Sequence, residues 1–252
     1  MTLIEPAIAQ TPGHRLSVIT NPPQPGVLMT FRNPVDYSAA WSIQQQFHAE
    51  RLVGSRPDTL MLLQHLPVYT AGRRTRLLHL HPEVALGDLG VPVVTVNRGG
   101  SVTYHGPGQL VAYPILALSG YARGAKAYVH MLEEVVIRTL QVWDIHGYRV
   151  EGAAGIWGRD RQGEAKVASI GARIDRGITL HGVALNVTND LVPFSRIVPC
   201  GLEGCRMTSM AQITQTPVSV HVVAEELAKT FSTVFHVEWI HSSVTDQGTT
   251  GR

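Results

Sequence analysis

Arg98-Gly99-Gly100-Ser101-Val102-Thr103-Tyr104-His105-Gly106-Pro107-Gly108-Gln109 lies between two runs rich in β-branched or aromatic residues. Val93-Val94-Thr95-Val96 precedes it and Leu110-Val111-Ala112-Tyr113-Pro114-Ile115 follows, and both read as strands. A plain hairpin between them would need only about two to five residues. The intervening twelve hold four glycines, a proline, an arginine, a histidine, a serine and a threonine. Glycines let backbone N–H groups approach a ligand closely, and Pro107 stiffens the exit. The stretch reads as an ornate turn, such as two short hairpins in succession, or as a ligand-holding loop. Its cation and imidazole favour the loop.

The flanking chain alternates strand and helix signals in mixed α/β order. Residues 1–25 carry prolines at 6, 12, 22, 23 and 25 and read as a loosely packed arm. Val27 to Phe31 predicts a short strand, Asp36 to Leu52 a helix, and Thr59 to Leu63 a buried strand. Arg73 to Gly90 is a polar, His-containing excursion. Val129, Leu132, Val136, Leu140 and Trp143 share one face of a helix expected over Ala125 to Trp143. Strands are expected at Arg149-Val150, Gly155 to Trp157, Val167 to Ile174 and Ile178 to Val187. A short helix over Leu191 to Ile197, a final helix over Val220 to Phe235 and a last short strand complete the reading. The expected organisation is an arm over 1–25, one domain over 26–240 and a flexible tail over 241–252.

Composition narrows the chemistry. The 252 residues suffice for a substantial core, and 44% hydrophobic with 16% charged residues suits a globular chain. A net charge of +2 without any Lys/Arg run argues against nucleic acid or membrane surfaces as partners. No apolar stretch approaches a membrane span and no leader pattern appears, so a cytoplasmic location is expected. Cys200 and Cys205 are too few for a disulfide scaffold, and their spacing does not suit zinc. No metal and no cofactor is expected.

Of 21 basic residues only Lys126, Lys166 and Lys229 are lysine. Arginine cannot give up its proton at workable pH, whereas a buried lysine can exchange one. Lys126 and Lys229 lie within helical patterns, as solvated residues do. Lys166 instead enters the apolar run Val167-Ala168-Ser169-Ile170-Gly171. Cys200 lies between Pro199 and Gly201, flanks that favour a sharp turn presenting the thiol. A small buried hydrophobe is the competing reading, because reactivity requires a neighbouring charge. Lys166 is the available cation. His105 and His181 sit in Gly-bounded contexts, and Cys205 reads as an incidental thiol.

Four segments, in order, resemble the lipoyl(octanoyl) transferase family. They are Arg98 to Gln109 with Tyr113-Pro114-Ile115, Lys166 to Gly171, Thr179-Leu180-His181-Gly182-Val183-Ala184-Leu185-Asn186-Val187, and Ile197-Val198-Pro199-Cys200-Gly201. Tyr128 to Leu140 is similar to the family's central helix. The resemblance runs from about Val27 to Phe235; the arm and the Ser/Thr tail stand outside it, and Glu203 to Arg206 is not diagnostic. It implies an α/β (α+β) fold, a mixed β-sheet flanked by helices as in biotin and lipoate protein ligases. It implies octanoyl transfer from octanoyl-acyl carrier protein to a lysine of lipoyl domains. Acceptors would be those of 2-oxoacid dehydrogenase complexes and the glycine cleavage H protein. Cys200 would carry the octanoyl group as a thioester, and Lys166 would favour its thiolate and shuttle protons. Arg98, Gly99, Gly100, Ser101, Val102, Thr103, Tyr104 and His105, with Ser169, Ile170, Gly171, Gly182, Val183 and Ala184, would line the acyl site. The amides of Gly99-Gly100 or Ile170-Gly171 are candidates for an oxyanion hole. Rival readings are an ATP-dependent lipoate or biotin ligase, a non-catalytic acyl-protein binder and a cysteine hydrolase.

Overall fold

The run Asp58–Leu63 is buried at every position, as a strand covered on both faces must be. In the computed structural model, which describes residues 22–81, 87 and 90–243, it lies within an eight-stranded sheet. The strands of that sheet are β1 (Gln24–Thr30), β2 (Asp58–Leu63), β6 (Gln109–Ile115), β7 (Tyr148–Val150), β8 (Ala153–Asp160), β9 (Gly163–Asp175), β10 (Ile178–Asn186) and β11 (Val237–Ser243). They run side by side as β11-β1-β2-β6-β10-β9-β8-β7. The β11-β1 and β1-β2 pairs are parallel and the other pairs antiparallel, so the sheet is mixed. β3 (Val68–Ala71), β4 (Val93–Thr95) and β5 (Val102–His105) form a smaller sheet in the order β4-β3-β5.

Parallel neighbours need a crossover, and α1 (Tyr37–Leu52) supplies it between β1 and β2. Asp36 caps this helix by accepting from the Ala39 N–H at 3.1 Å. Ala40 and Phe47 of α1 pack with Met61, Val111, Tyr113 and Ala184 on one face of the sheet. α2 (Ala125–Gln141) and α4 (Val220–Phe235) cover the other face. There Leu132, Val136, Leu140, Leu227 and Phe231 meet Leu60, Leu62, Leu110 and Val183. Burying each of these large side chains contributes about 2 kcal/mol, which holds the helices against the sheet. The five-residue α3 (Met210–Thr214) starts at Ser209, whose hydroxyl accepts from the Gln212 N–H at 3.3 Å.

The twelve residues from Arg98 are not one loop. β5 lies inside them and pairs antiparallel with β3, with Thr103 opposite Thr70. The chain then crosses to the large sheet through Gly106-Pro107-Gly108 alone. Gly108 has φ +88°, and a Cβ there would sit 2.6 Å from the Asn189 nitrogen, so only glycine fits this crossing. The expected ends also move. Gln24 and Pro25 already belong to β1, and residues 241–243 complete β11. Residues 1–21 of the arm and 244–252 of the tail lie outside the described residues, as do 82–86, 88 and 89 of the polar excursion. The helix expected over Leu191 to Ile197 is a tighter 3₁₀ turn over Val192–Arg196.

Candidate active site

The two sheets meet around a small cavity. Tyr37 of α1, Val111 and Tyr113 of β6, and His181 to Ala184 of β10 form part of its wall. Arg98, Gly100, Thr103 and His105 close a second side, and Ser169, Ile170 and Gly171 of β9 a third. Cys200 borders this cavity and also a larger one of about 360 Å³, walled by Arg74, Arg76, His79, Ser101 and Ala154. The thiol thus stands at a junction between the two.

Cys200 occupies the left-handed region at φ 59°, between Pro199 and a glycine at φ 70°. A non-glycine residue held there costs about 1 kcal/mol, a strain that persists only where surrounding structure imposes it. The turn aims the sulfur at Lys166, which is 0% exposed although it is a lysine. Lys166 Nζ donates to the Ala154 carbonyl at 2.6 Å and to Cys200 Sγ at 3.2 Å. A buried ammonium needs such partners, and a thiolate satisfies it better than a thiol does. Ser169 Oγ lies 4.0 Å from the same sulfur. The two residues that the sequence singled out separately are therefore in contact. Lys126 and Lys229 sit on exposed helical faces, as expected.

The cavity itself is almost free of charge. Burial pushes His105 well below its ordinary titration range, and its Nδ1–H donates to Gln109 Oε1 at 2.7 Å. His181 is pushed down to about 3, chiefly by burial, and stacks on Trp41 with ring centroids 4.6 Å apart. Burial raises Tyr37 to about 12 and Tyr113 well above the usual range. Behind them His65, pushed down by burial to about 4, bonds Val35 O and the Tyr113 hydroxyl. Arg98 is the cation on the wall, and its guanidinium is spent on protein. It donates to Thr70 O at 2.6 Å, to Thr70 Oγ1 at 2.8 Å and to Gly99 O at 2.9 Å. Thus Arg98 pins β3 to the glycine turn with its donors turned onto protein oxygens, and the histidines and tyrosines of the chamber are uncharged.

Four expected lining residues lie off this cavity. Strand alternation sends Thr103 and His105 to the cavity and turns Val102 and Tyr104 away. The latter two pack with Tyr69, Phe194, Ile197 and Met207 in a separate apolar cluster. Gly99 is used as a strap, its N–H donating to Ala172 O at 3.1 Å, so that amide is unavailable to an oxyanion. Ser101 borders the second cavity, where its hydroxyl pairs with His79 Nδ1 at 2.6 Å. Cys205 packs against the Tyr69 cluster, and burial raises its thiol. Tyr37, Thr70, Val111, Tyr113 and Ala154 were not found from sequence. Tyr113 stands in the first motif and Val111 two residues past its Gln109, but neither was given a place in the site; Tyr37, Thr70 and Ala154 lie outside the motifs and carry no spacing signal.

The neutral histidines set a pH dependence. His65 and His181 titrate below 6.5 in the fold, as His105 does, so protons bind the unfolded chain more readily. Stability is fully present above 6.5 and is lost on acidification toward the folded values of about 4 and about 3. Each histidine costs about 1.4 kcal/mol per pH unit across that window. Melting temperature should be level above neutrality and fall steeply between about pH 6 and pH 4. A level profile down to pH 5 would contradict neutral burial of these rings.

Comparison with known proteins identifies the family. The lipoyl protein ligase A/B catalytic domain family model matches residues 36–232. An octanoyltransferase of Thermobifida fusca is 45% identical over 197 residues, covering 77% of this chain and 81% of that protein. One from Chloroflexus aurantiacus is 46% identical over 207 residues, covering 81% and 92%. The fold is similar to that of a lipoate-protein ligase A bound with ATP, with TM-score 0.66 and 16% identity over 88% of this chain and 90% of that one. The lipoate protein ligase of an archaeal system from Thermoplasma acidophilum gives TM-score 0.66 and 16% identity over 88% of each chain. At those identities the structural likeness speaks for the fold, while the sequence relatives speak for the family. The chain belongs to the lipoyl protein ligase A/B catalytic family and, within it, to the octanoyltransferases, which makes it an acyltransferase.

Proposed function

We propose that the protein transfers octanoate from octanoyl-acyl carrier protein to the acceptor lysine of lipoyl domains through a thioester on Cys200. The observation that carries this reading is the 3.2 Å contact from Lys166 Nζ to Cys200 Sγ beside a neutral cavity. In the first step the Cys200 thiolate attacks the donor's thioester carbonyl. The carbonyl's bond to the carrier's sulfur breaks, and that sulfur departs with a proton from the Lys166 ammonium, which leaves Lys166 a neutral amine for the second step. One thioester replaces another, so the step needs no ATP. In the second step the acceptor amine attacks the Cys200 thioester, its proton passes to Lys166, and Cys200 leaves as thiolate. The amide that remains is the product.

The donor for the developing oxyanion is the Ile170 N–H. The Ala172 carbonyl leaves β9 toward Gly99 rather than β10. Alternation along an antiparallel strand turns the Ile170 amide toward that same edge, where Ile170 adjoins Cys200. The octanoyl tail is directed into this cavity, whose walls part to admit it, each methylene buried there contributing about 0.8 kcal/mol. The acceptors in this reading are lipoyl domains of 2-oxoacid dehydrogenase complexes and the glycine cleavage H protein. The enzyme works beside them in the cytoplasm; no helix among the described residues is long and apolar enough to cross a membrane.

Intact-protein mass spectrometry after mixing with octanoyl-carrier protein tests the reading. An octanoyl adduct without ATP is expected. An adduct that requires ATP would identify a ligase, and no adduct under either condition a binding module.

Chain length offers a further expected outcome. Ala184 is buried in one cluster with Val111 and Tyr113 and borders the cavity, opposite Ser169 on one neighbouring strand and Val111 on the other. Ala184→Leu should displace two or three methylenes and cost octanoyl and decanoyl donors about 2 kcal/mol relative to hexanoyl. Relative transfer from the three donors measures this, with melting temperature as control, because overpacking alone costs about 1–3 kcal/mol. An unchanged chain-length profile would put the tail elsewhere.

A further inference from the structure

Lys166 spends one of its three protons on Cys200 and another on the carbonyl of Ala154. That carbonyl belongs to the Ala154–Gly155 peptide, whose N–H is engaged as well. Gly155 N–H donates to Glu133 Oε1 at 3.3 Å. Among the described residues no peptide is cis, so this carbonyl and N–H point in opposite directions. Glu133, one peptide plane, Lys166 and Cys200 therefore form a continuous line of hydrogen bonds. Glu133 comes from α2 and is only 9% exposed, an unusual place for a carboxylate.

We infer that Glu133 is a positioning residue, which polarises the Ala154–Gly155 peptide so that its carbonyl holds Lys166 as an ammonium against Cys200. A carboxylate on the N–H of a peptide strengthens its carbonyl as an acceptor, most of all where the surroundings are dry. The local backbone is shaped for this arrangement. Gly155 has φ +116°, and a Cβ there would lie 2.4 Å from Ala168 O and 2.5 Å from Lys166 Cε. A glycine is what lets the peptide lie flat between the carboxylate and the lysine. Arg149 holds the other carboxylate oxygen, Nε to Oε2 at 3.1 Å, and so fixes the orientation of Glu133.

The charged and titratable groups around this line are known. At the Glu133 end they are Arg149, His130 at 4.0 Å and Glu134, which shares Arg149. At the Lys166 end they are Cys200, Cys205 and Arg98. None of these except Cys200 accepts a hydrogen bond from Lys166, so the peptide carbonyl is its second anchor. The inference rests on the Cys200–Lys166 reading above and adds a residue to it that touches neither substrate nor sulfur.

Two variants of the full chain test it. Glu133→Gln removes the charge and keeps the shape. Glu133→Asp keeps the charge and lets Arg149 follow it, but withdraws the carboxylate from Gly155. Both should slow alkylation of Cys200 by iodoacetamide, followed on its own peptide, by about three- to tenfold. The alkylation pH profile should move to the alkaline side, and kcat for transfer should fall in parallel while KM for the donor holds. Parental alkylation in both variants would overturn the inference. So would slowing in Glu133→Gln alone, which would mean that the Arg149 ion pair, not the peptide contact, matters. If Glu133→Gln fails to fold, Glu133→Asp decides alone in the same two directions. Failure of the Cys200 reading would look different, because the unsubstituted enzyme would then form no octanoyl adduct at Cys200.

Discussion

Replacing Cys200 by serine should lower octanoyl transfer by about 10³-fold or more and abolish the octanoyl adduct. The argument is chemical rather than structural. Serine matches cysteine closely in shape, and position 200 is a half-exposed turn, so the fold should tolerate the change. The backbone strain at φ 59° is the same for either residue. What is lost is a nucleophile that a nearby ammonium can hold as an anion. An alcohol resists ionisation far more than a thiol, and a lysine already charged cannot remove its proton. Cys205→Ser is the matched control and should transfer within about twofold of the parent, as a side chain packed away from the cavity should. An adduct that persists in Cys200→Ser, or vanishes in Cys205→Ser, would move the nucleophile to the other cysteine.

Much of this fold was legible in the chain. The helix over Val220–Phe235 has the bounds its apolar periodicity predicts, and α1 starts where Asp36 can cap it. β3 was missed because Val68–Ala71 is only four residues long, too short for its alternation to stand out, although Pro67 and Gly72 flank it. The stretch from Arg98 was read as a loop because glycine and proline outweigh Val102–His105, a strand that only its partner β3 makes visible. The site divides in the same way. Lys166 and Cys200 stand out because each breaks a local rule, a lysine in an apolar run and a cysteine between proline and glycine. Their contact is a tertiary fact, since 34 residues separate them. Val102 and Tyr104 were assigned to the site with their neighbours, although strand alternation removes every second residue from one face. Glu133 gave no signal, because its meaning lies in one peptide on another strand.

Lys166→Met should cut overall transfer by about 10²- to 10⁴-fold, and Lys166→Arg should separate the two steps of the reaction. Methionine keeps the volume and removes both charge and base. It also leaves the Ala154 carbonyl buried without its donor, a loss of about 1–3 kcal/mol in stability. Arginine keeps a cation but cannot act as a base, because it does not give up its proton. Its guanidinium must also fit beside Gly155, where a Cβ would already lie 2.5 Å from Lys166 Cε, so the side chain must shift. Formation of the octanoyl-Cys200 adduct should therefore slow only about tenfold in Lys166→Arg. Discharge of that adduct onto a lipoyl-domain lysine should slow by about a further 10²-fold, because the amine's proton has no acceptor. Single-turnover measurements, with adduct formation and discharge timed separately by mass spectrometry, distinguish the two. If Lys166→Arg discharges the adduct at the parental rate, the proton does not pass through this residue. Lys166 would then serve only to hold the thiolate, and the base for the acceptor amine would have to come from the acceptor domain or from solvent.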